Sequence, residues 1–400
     1  MTIRQASNSP TARLVVLAIG TFVLGVDGFV LPGLLAPIAD DLSVSVAAAG
    51  QLTTAFAVAY AIGSPIISTV TGRLDRRVVI GAGMVVFLVG MVLQAVGPTY
   101  PTVLAGRIVA ALGAAGFQAN AYAVAGLLSP PERRARSFAV IGAGASLASV
   151  LGVPFGLLIG QWLGWRGTMW TIVALAGIAA VLAWVAVPPV HLPVTSLRSR
   201  VAVLRDTRML LLLMVSAFVL VPLYLVAAYA APVVGVSRSG AGAVLVALLV
   251  FGVGFFAGNR LVGRVADRFG PLRTLTVALA ATAAVTAGLG AVQHWYVAAL
   301  VMLFGLGAVG SFLFIPQQNR VYNAGGDVAA VALGLNGSMI YVGSALGAIL
   351  GGVVLSTAGS HWLGPVAALV ALAVLALTWS TAPERRAAPR PADVPVSTNA

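Results

Sequence analysis

The sequence has no cysteine and few histidines, and each shortage excludes a class of chemistry. Without cysteine there can be no disulfide, no thiolate metal site and no cysteine nucleophile. The three histidines, His191, His294 and His361, fall in three separate predicted loops. A histidine metal cluster would need an improbable convergence of these loops. We therefore expect neither a metal ion nor another cofactor.

Charge is also scarce. Charged residues make up 8% of the 400 residues, whereas 60% are apolar and the mean hydropathy is +1.02. This leaves too little polar surface to cover a soluble globular protein. The apolar runs are continuous over about 20 residues, as a helix crossing a ~30 Å hydrocarbon core requires, and do not alternate as barrel strands would. The composition predicts an all-α membrane protein embedded in a lipid bilayer.

Twelve apolar windows predict twelve transmembrane helices, called spans 1 to 12 below. Of the 23 arginines, 20 lie in the N-terminal segment, in or beside the loops after even-numbered spans, or in the C-terminal segment. By the positive-inside rule, both termini are expected in the cytoplasm, with the protein in the cell (inner or plasma) membrane. The same rule accounts for the net charge of +13, so no nucleic acid partner is expected. The predicted spans are 13–37, 46–70, 78–97, 101–127, 138–162, 167–189, 209–233, 241–262, 274–292, 295–318, 330–356 and 362–381.

The two halves of the chain resemble each other. A cytoplasmic linker, 190–208, separates an N-terminal bundle, 1–189, from a C-terminal bundle, 209–381, and the Pro-rich polar tail 382–400 is typical of a disordered end. Three segments of the first half match the second half in order, at a shift of about 190–195 residues. We predict two pseudo-symmetric six-helix bundles. The matching segments are 72–77 with 263–268, 112–116 with 306–310, and 149–156 with 344–351.

The segment after span 8, Gly263-Arg-Val-Ala-Asp-Arg-Phe-Gly270, resembles the Gly-x-x-x-Asp-Arg-x-Gly signature of the major facilitator superfamily. The resemblance extends over essentially the whole chain. Its glycines would permit a tight turn, and its acid would lie near a helix N-terminus and pair with arginine across the loop. The resemblance implies a cytoplasmic gate formed by Gly263, Asp267, Arg268 and Gly270.

The copy of this signature after span 2 departs from the pattern. Its acid lies one residue early and its second glycine is missing. A basic loop with an incidental acid is the alternative to a gate here. The candidate gating residues of this copy are Gly72, Asp75 and Arg76.

Two charges lie inside otherwise apolar spans, Asp27 in span 1 and Arg107 in span 4. A charge at the centre of a bilayer helix costs roughly 2.5–3.5 kcal/mol on insertion scales, so each indicates a functional site. At a rise of 1.5 Å per residue, both lie about 9 Å from the outer boundary of the core. The segment around Arg107 resembles the arginine-containing span-4 motif that the superfamily associates with proton coupling. In that superfamily spans 1, 4, 7 and 10 line the central cavity.

This resemblance implies that the two charges face each other. We predict that Asp27 gains and loses the transported proton, while Arg107 stabilises its charged form in one conformation. The alternative is a static buried ion pair that holds two helices together.

Polar and aromatic side chains within the spans are candidates for substrate binding. On span 4, Gln118 and Tyr122 fall within about 60° of Arg107 at 100° per residue, and Asn120 points away. Amide and aromatic groups suit neutral or weakly amphipathic ligands, but many such residues simply pack. The other candidates are Phe29, Tyr60, Tyr224, Tyr229, Gln317, Gln318, Asn336 and Tyr341.

Glycines recur at four-residue steps in spans 5 and 11, which allows helices to approach closely. The span-5 run, which continues to Gly164-Trp165-Arg166, resembles a motif of superfamily exporters in which spans 5 and 8, or 2 and 11, slide past each other. It lacks the terminal glycine pair of that motif, and generic packing is the alternative. The residues concerned are Gly152, Pro154, Gly156 and Gly160 in span 5, and Gly343, Gly347 and Gly351 in span 11.

Span 1 from Gly25 to Leu35 is similar to bacterial chloramphenicol-resistance and sugar-efflux exporters, although Asp27 lies one position before the acid expected there. We therefore expect a monomeric drug:proton antiporter that exports drug-like or small hydrophobic compounds. The alternatives are an exporter of a sugar- or nucleoside-type metabolite and an uptake symporter. An enzyme is not expected, because no His-Glu-x-x-His, Gly-x-Ser-x-Gly or intramembrane acid pair is present.

Overall fold

The computed structural model describes residues 10–190, 205–235 and 241–381, and this part of the chain is helical with no strand. The tail 382–400 and most of the predicted linker lie outside the described residues. Continuous helices suit a membrane, because each backbone group bonds within its own segment. The first four helices are α1 (Pro10–Asp41), α2 (Val46–Val70), α3 (Arg76–Val96) and α4 (Tyr100–Leu128).

The next helical element, Arg134–Ala186, is broken at Gly164, where φ is 69°. Only glycine adopts this left-handed conformation without strain. We therefore describe two helices, α5 (134–163) and α6 (165–186). The break lies between the predicted spans 5 and 6.

Span 7 is not the single helix expected over 209–233. It consists of α7 (Thr207–Phe218), α8 (Val221–Ala227) and α9 (Ala230–Gly235). Pro222 lies in the first turn of α8 and has no N–H with which to bond the carbonyl of Phe218. The helix therefore restarts at this proline.

The second half continues with α10 (Ala241–Phe269), α11 (Pro271–Val292), α12 (Tyr296–Gly325), α13 (Ala329–Ala358) and α14 (Leu363–Ser380). Eleven described stretches are long and apolar enough to cross a membrane, and one of them, Tyr296–Ala358, contains both α12 and α13. Twelve crossings result, as predicted. Helices α10 and α12 run well past their predicted ends at 262 and 318, because polar residues end an apolar window without ending a helix.

The glycine stripes of α5 and α13 make equivalent contacts in the two halves. Gly152, Gly156 and Gly160 lie against Val26, Val30 and Leu34 of α1, and Gly343, Gly347 and Gly351 lie against Ala217, Val221 and Leu225 of α7 and α8. A Cβ atom at Gly343 would lie 2.2 Å from the carbonyl oxygen of Ala217. Each stripe therefore packs inside its own half. It does not line the contacts between spans 5 and 8, or between spans 2 and 11, that the motif implied. The side chain of Pro154 lies outside the described residues.

Helices α5 with α10, and α2 with α13, join the two halves. We call the end of the bundle at which Pro10 and Thr381 lie the terminus face. All hydrogen bonds recorded between the halves, in the part of the chain that the structure describes, lie in the helix segments nearer this face. They join Ala135 and Arg136 to Asp267, Asn259 to Ala139, Arg134 to Asn323, and Ser338 to Ala61. The halves are thus closed against each other at the terminus face.

Candidate functional site

The packing of α1 on α5 determines where Asp27 points. Val26 faces α5, and Asp27, one position on, is about 100° further around the helix. This turn directs the carboxylate towards α4. Arg107 Nη1 lies 2.5 Å from Asp27 Oδ1 and 2.6 Å from Oδ2, and the two residues are only 2% and 1% exposed. The structure thus brings the two predicted charges together.

Burial makes this pair costly to break. Removing one partner of a buried ion pair typically costs about 3–5 kcal/mol, because the other charge is left uncompensated. Protonation of Asp27 would neutralise the carboxylate and leave the guanidinium with weaker partners. One such partner is the carbonyl of Leu52 on α2, which accepts from Arg107 Nε at 3.4 Å.

An aromatic cluster connects this pair to the second half. The Arg107 guanidinium carbon lies 4.5 Å from the ring centroid of Phe56, a cation–π contact. Phe56 lies 6.3 Å from Tyr60 and 6.2 Å from Tyr341, and the two tyrosine rings are 4.5 Å apart. Tyr60 belongs to α2 and Tyr341 to α13, so two predicted binding residues meet across the interface.

Phe56 was not predicted. Its spacing of four residues from Tyr60 places both rings on one face of α2, and this spacing was a usable signal.

A second aromatic cluster lies nearer the terminus face. Tyr122 packs edge-on against Phe138 at 5.4 Å and Phe314 at 6.2 Å, and Phe138 packs against Tyr322 at 5.6 Å. These residues come from both halves. Tyr122 is 1% exposed, whereas Gln118, one turn earlier on α4, is half-buried. Of these two candidates, only Tyr122 is enclosed by the interface.

The amide candidates lie in hydrogen-bond networks on α12 and α13. Gln317 donates to the Leu212 carbonyl at 2.8 Å and contacts Ser216 Oγ at 2.9 Å. Asn336 Nδ2 donates to Gln318 Oε1 at 2.6 Å, while its own buried Oδ1 has no hydrogen-bond partner among the described residues. Asn336 therefore offers the one buried amide oxygen in this set that is ready to accept a bond.

The remaining aromatic candidates have different surroundings. The Tyr229 hydroxyl already donates to the Ala348 carbonyl at 2.7 Å. Tyr224 is half-buried, with its Cβ next to Gly347. Phe29 is 36% exposed on α1 and lies outside both aromatic clusters. Their roles in binding stay predictions.

The first copy of the loop signature makes its hydrogen bonds without contacting the second half. Asp75 caps α3 by accepting from Arg77 N at 2.9 Å, and it also accepts from Val190 N at 3.0 Å. Arg76 is buried and donates to Asn120 Oδ1 at 2.7 Å. Asn120 does point away from Arg107, and its partner on α3 was not foreseen. Gly72 is buried in the short 3₁₀ turn Thr71–Arg73.

The second copy makes hydrogen bonds and an ion pair between the two halves. Asp267 accepts from Ala135 N at 2.9 Å and Arg136 N at 3.2 Å, and it pairs with Arg136 Nε at 3.1 Å. Gly263 is helical, and a Cβ there would lie 2.7 Å from the Cα of Arg136. The expected tight turn is confined to Gly270, where φ is 83°. Arg268 is exposed beside Phe269.

The opposite face carries an ion pair that the sequence analysis missed. Arg166 and Trp165 both donate to Asp41 Oδ2, and Arg166 also donates to the Gly97 carbonyl at 2.9 Å. The hydrogen bond from Arg166 lowers the pKa of Asp41 below its usual value of 3.8. All four residues belong to the first half. The Asp41–Arg166 pair therefore holds the ends of α1, α3 and α6 together and does not join the two halves.

Comparison with known proteins gives one consistent family. The family model described as Major Facilitator Superfamily matches residues 17–329. The chain is 33% identical to the "Chloramphenicol resistance protein" of Streptomyces lividans, over 90% of this chain and 94% of that protein. It is 26% identical to the "Probable sugar efflux transporter" of Mannheimia succiniciproducens, over 92% of each chain.

Among solved structures, the fold is similar to that of the proton:xylose symporter XylE, with a TM-score of 0.77 at 16% identity, covering 94% of this chain and 97% of that one. These relatives are membrane transporters and not enzymes. Together with twelve crossings in two matching halves, these similarities show that the chain is a multi-pass membrane transporter and belongs to the Major Facilitator Superfamily.

Proposed function

We propose that the protein exports drug-like or small hydrophobic compounds across the cell membrane in exchange for protons. The observation that carries this proposal is the buried Asp27–Arg107 pair, the one ion pair among the described residues that lies at membrane depth with both side chains almost fully enclosed. An ionisable pair in such a place is expensive to build, which favours a function that uses its charge.

The proposed exchange takes place at Asp27. A proton that enters from outside binds the carboxylate and releases Arg107 from its charged partner. Because Arg107 also stacks on Phe56, its release changes the contact between the pair and the Tyr60–Tyr341 cluster. That cluster lies between the halves, so the protonation state can bias their relative position. Loss of the proton to the cytoplasm restores the ion pair.

The arginine distribution supports a cytoplasmic location for the terminus face. The described contacts close that face, and in such a state a compound bound between the halves cannot return to the cytoplasm. The likeness to the chloramphenicol resistance protein supports export of a compact, weakly polar compound. The apolar surroundings of the aromatic cluster suit such a ligand.

A sugar- or nucleoside-type metabolite is the second candidate substrate. It is favoured by the relative named as a sugar efflux transporter and by the buried amides of α12 and α13. Asn336 Oδ1 could accept a bond from a hydroxyl group, and a site built for such bonds discriminates strongly against analogues that lack them. A compound panel that includes sugars and nucleosides separates the two candidates.

The test is accumulation of each compound in an efflux-deficient bacterial host that expresses the full chain, with and without a protonophore. We expect the wild type to lower accumulation of at least one apolar compound, and the protonophore to abolish this effect. Asp27→Asn should abolish proton-driven export, because an amide side chain cannot gain and lose a proton as a carboxylate does. Asparagine keeps the shape of the side chain but leaves the buried Arg107 without its counter-charge, so export is compared only after the variant is shown to fold.

Asp40→Asn is the matched control, because Asp40 is an exposed acid near the end of the same helix. Both variants are compared with the wild type for membrane expression and for elution as a single folded species. Unchanged protonophore-sensitive export by a folded Asp27→Asn protein would refute the assignment of Asp27. Accumulation that the wild type never lowers for any compound would refute export.

A further inference from the structure

A basic cavity opens at the terminus face of the second half, away from the Asp27–Arg107 pair. Its volume is about 550 Å³, and it lies between α7, the α10–α11 turn, α12 and the end of α14. Three arginines line it, Arg208, Arg273 and Arg320, together with Asn323 and Thr381. Among the described residues that line it, none is acidic. Three arginines at one cavity make the binding of an anion favourable.

Arg320 is the central group of this cavity. It is only 8% exposed, yet its recorded partners are neutral: Gln317 Oε1 at 3.0 Å and Thr381 Oγ1 at 2.5 Å. The ion pairs found among the described residues involve none of the three cavity arginines. Burying a guanidinium without a counter-charge is costly, and an anionic ligand would remove that cost.

The backbone adds to the attraction. Helix α11 begins at the cavity after Gly270, which has no side chain with which to cap the first turn. The positive end of the helix and its free N–H groups favour a negatively charged group there. The helix end is a supplement to the three guanidinium groups, which recognise phosphate through several parallel hydrogen bonds.

The rest of the lining is apolar. Leu212, Phe269 and Leu272 share the cavity with the arginines, and Phe269 is 52% exposed. A soluble anion would leave these surfaces in contact with water, whereas a glycerophospholipid places a phosphate beside the start of an acyl chain. Basic pockets between transmembrane helices are a known setting for anionic headgroups.

We propose that this cavity binds the phosphate group of an anionic glycerophospholipid, with Arg320 at its base and Arg208 and Arg273 at its rim. The site is independent of the direction of transport and of the compound carried. A free phosphate compound shares the recognised chemistry, so the experiment includes both sources.

The test uses the purified full chain, stripped of lipid in dodecyl maltoside and titrated with dihexanoyl phosphatidylglycerol while the unfolding temperature is followed by tryptophan fluorescence. Dihexanoyl phosphatidylcholine, glycerol 3-phosphate and inorganic phosphate are titrated in parallel. We expect phosphatidylglycerol to bind at least about tenfold more tightly than the zwitterionic lipid, since only the former carries a net negative charge. Equal affinity for the two lipids would overturn the proposal.

Variants locate the site. Arg320→Gln, Arg273→Gln and Arg208→Gln should each weaken phosphatidylglycerol binding about fivefold or more. Arg264→Gln should not, because Arg264 is an exposed arginine of α10 outside the cavity. If Arg320→Gln fails to fold, the variants of the two exposed rim residues, Arg208→Gln and Arg273→Gln, still test whether the lipid binds in this cavity. Wild-type affinity in both rim variants would reject the site.

Two further arms identify the occupant. Glycerol 3-phosphate or inorganic phosphate binding as tightly as phosphatidylglycerol, with the same variant sensitivity, would support the phosphate site and assign it to a soluble anion. Glu384 follows Thr381 by three positions in the sequence. Lipid binding that appears only in Glu384→Gln would show that the chain's own carboxylate fills the cavity, and would overturn the lipid proposal.

Discussion

The two copies of the loop signature, at Asp75 and at Asp267, use the same side-chain chemistry for different purposes. Each carboxylate accepts two backbone N–H groups. For Asp75 the donors are Arg77 of α3 and Val190, the first residue of the linker, so the acid fixes the α2–α3 turn to the segment after α6 without touching the second half. For Asp267 both donors lie at the start of α5, in the other half. The two copies of the signature therefore provide one internal cap and one contact between the halves.

This difference follows from position within the repeat. Asp267 lies on a continuous helix, α10, that packs against α5, and Gly263 brings the two helices close enough for the carboxylate to reach the N-terminus of α5. Asp75 precedes α3, which packs within the first half. We infer that α10 carries the contact that must break when the terminus face opens, and that the Asp75 turn moves as part of a rigid half.

The largest expected effect comes from Asp267→Ala. The substitution removes two charge-assisted hydrogen bonds and the Arg136 pair, all between halves. Such bonds contribute roughly 1.5–3 kcal/mol each, so the two together contribute about 3 kcal/mol or more, and we expect the population ratio of closed to open terminus face to fall about 100-fold or more. Asp75→Ala should instead lower the unfolding temperature, through a lost helix cap of about 1 kcal/mol, without changing that ratio.

Spin labels at Arg133→Cys and Asp327→Cys report this ratio by pulsed electron resonance. Both positions are exposed on the terminus face in opposite halves, and the native chain has no cysteine to interfere. Longer distances in Asp267→Ala alone would support the division of roles. The same shift in both variants would show that the two copies act alike.

A smaller effect is expected from a methyl group at Gly263. In Gly263→Ala the new Cβ would meet the Cα of Arg136 at 2.7 Å and the Cβ of Ala139 at 3.0 Å, so the two halves must separate slightly. Overpacking of this kind costs about 1–3 kcal/mol, which predicts a loss of closed state of roughly tenfold.

Gly343→Ala is the comparison inside one half, since its Cβ would meet the Ala217 carbonyl oxygen. We expect this variant to lower the unfolding temperature and to leave the spin-label distances unchanged. A Gly263→Ala protein that is destabilised but still closed would contradict the proposed contact.

The sequence predicted most of the fold because hydrophobic length determines a membrane helix. Twelve crossings and two halves follow from the apolar windows and the matching segments, and the matched depth of Asp27 and Arg107 follows from the rise per residue. That the two charges face each other was implied only by the resemblance to the superfamily. The break in span 7 was missed, although Pro222 marks it. Proline alone was not decisive, because Pro65 and Pro316 lie inside unbroken helices where neighbouring helices support the backbone.

Contacts that depend on which helices are neighbours could not be predicted in the same way. A helical wheel shows that Asn120 points away from Arg107, but only the packing of α3 on α4 reveals Arg76 as its partner. The glycine stripes had the same ambiguity: their spacing indicates close packing, whereas the identity of the packed helix is set by the whole bundle. The partner of Asp267 likewise depends on how two halves meet.

The smallest expected effect concerns the opposite face, where the Asp41–Arg166 pair lies within one half. Because the pKa of Asp41 is lowered in the folded protein, the pair stabilises the fold above the unfolded pKa of about 3.9, and this contribution is lost as pH falls through the lower folded value. The Asp41 side chain is 43% exposed, so the contribution at neutral pH is at most about 1 kcal/mol. Asp41→Asn should therefore lower the unfolding temperature slightly at pH 7 and converge with the wild type as pH falls through the lowered folded pKa of Asp41, whereas Asp40→Asn should change little. Unfolding temperatures measured between pH 7 and pH 2.5 test this, and the spin-label distances at the terminus face should stay at the wild-type values. A shift in those distances would mean that the Asp41–Arg166 pair also affects the contact between the halves. A carboxylate whose contacts all lie inside one half would then do more than stabilise that half.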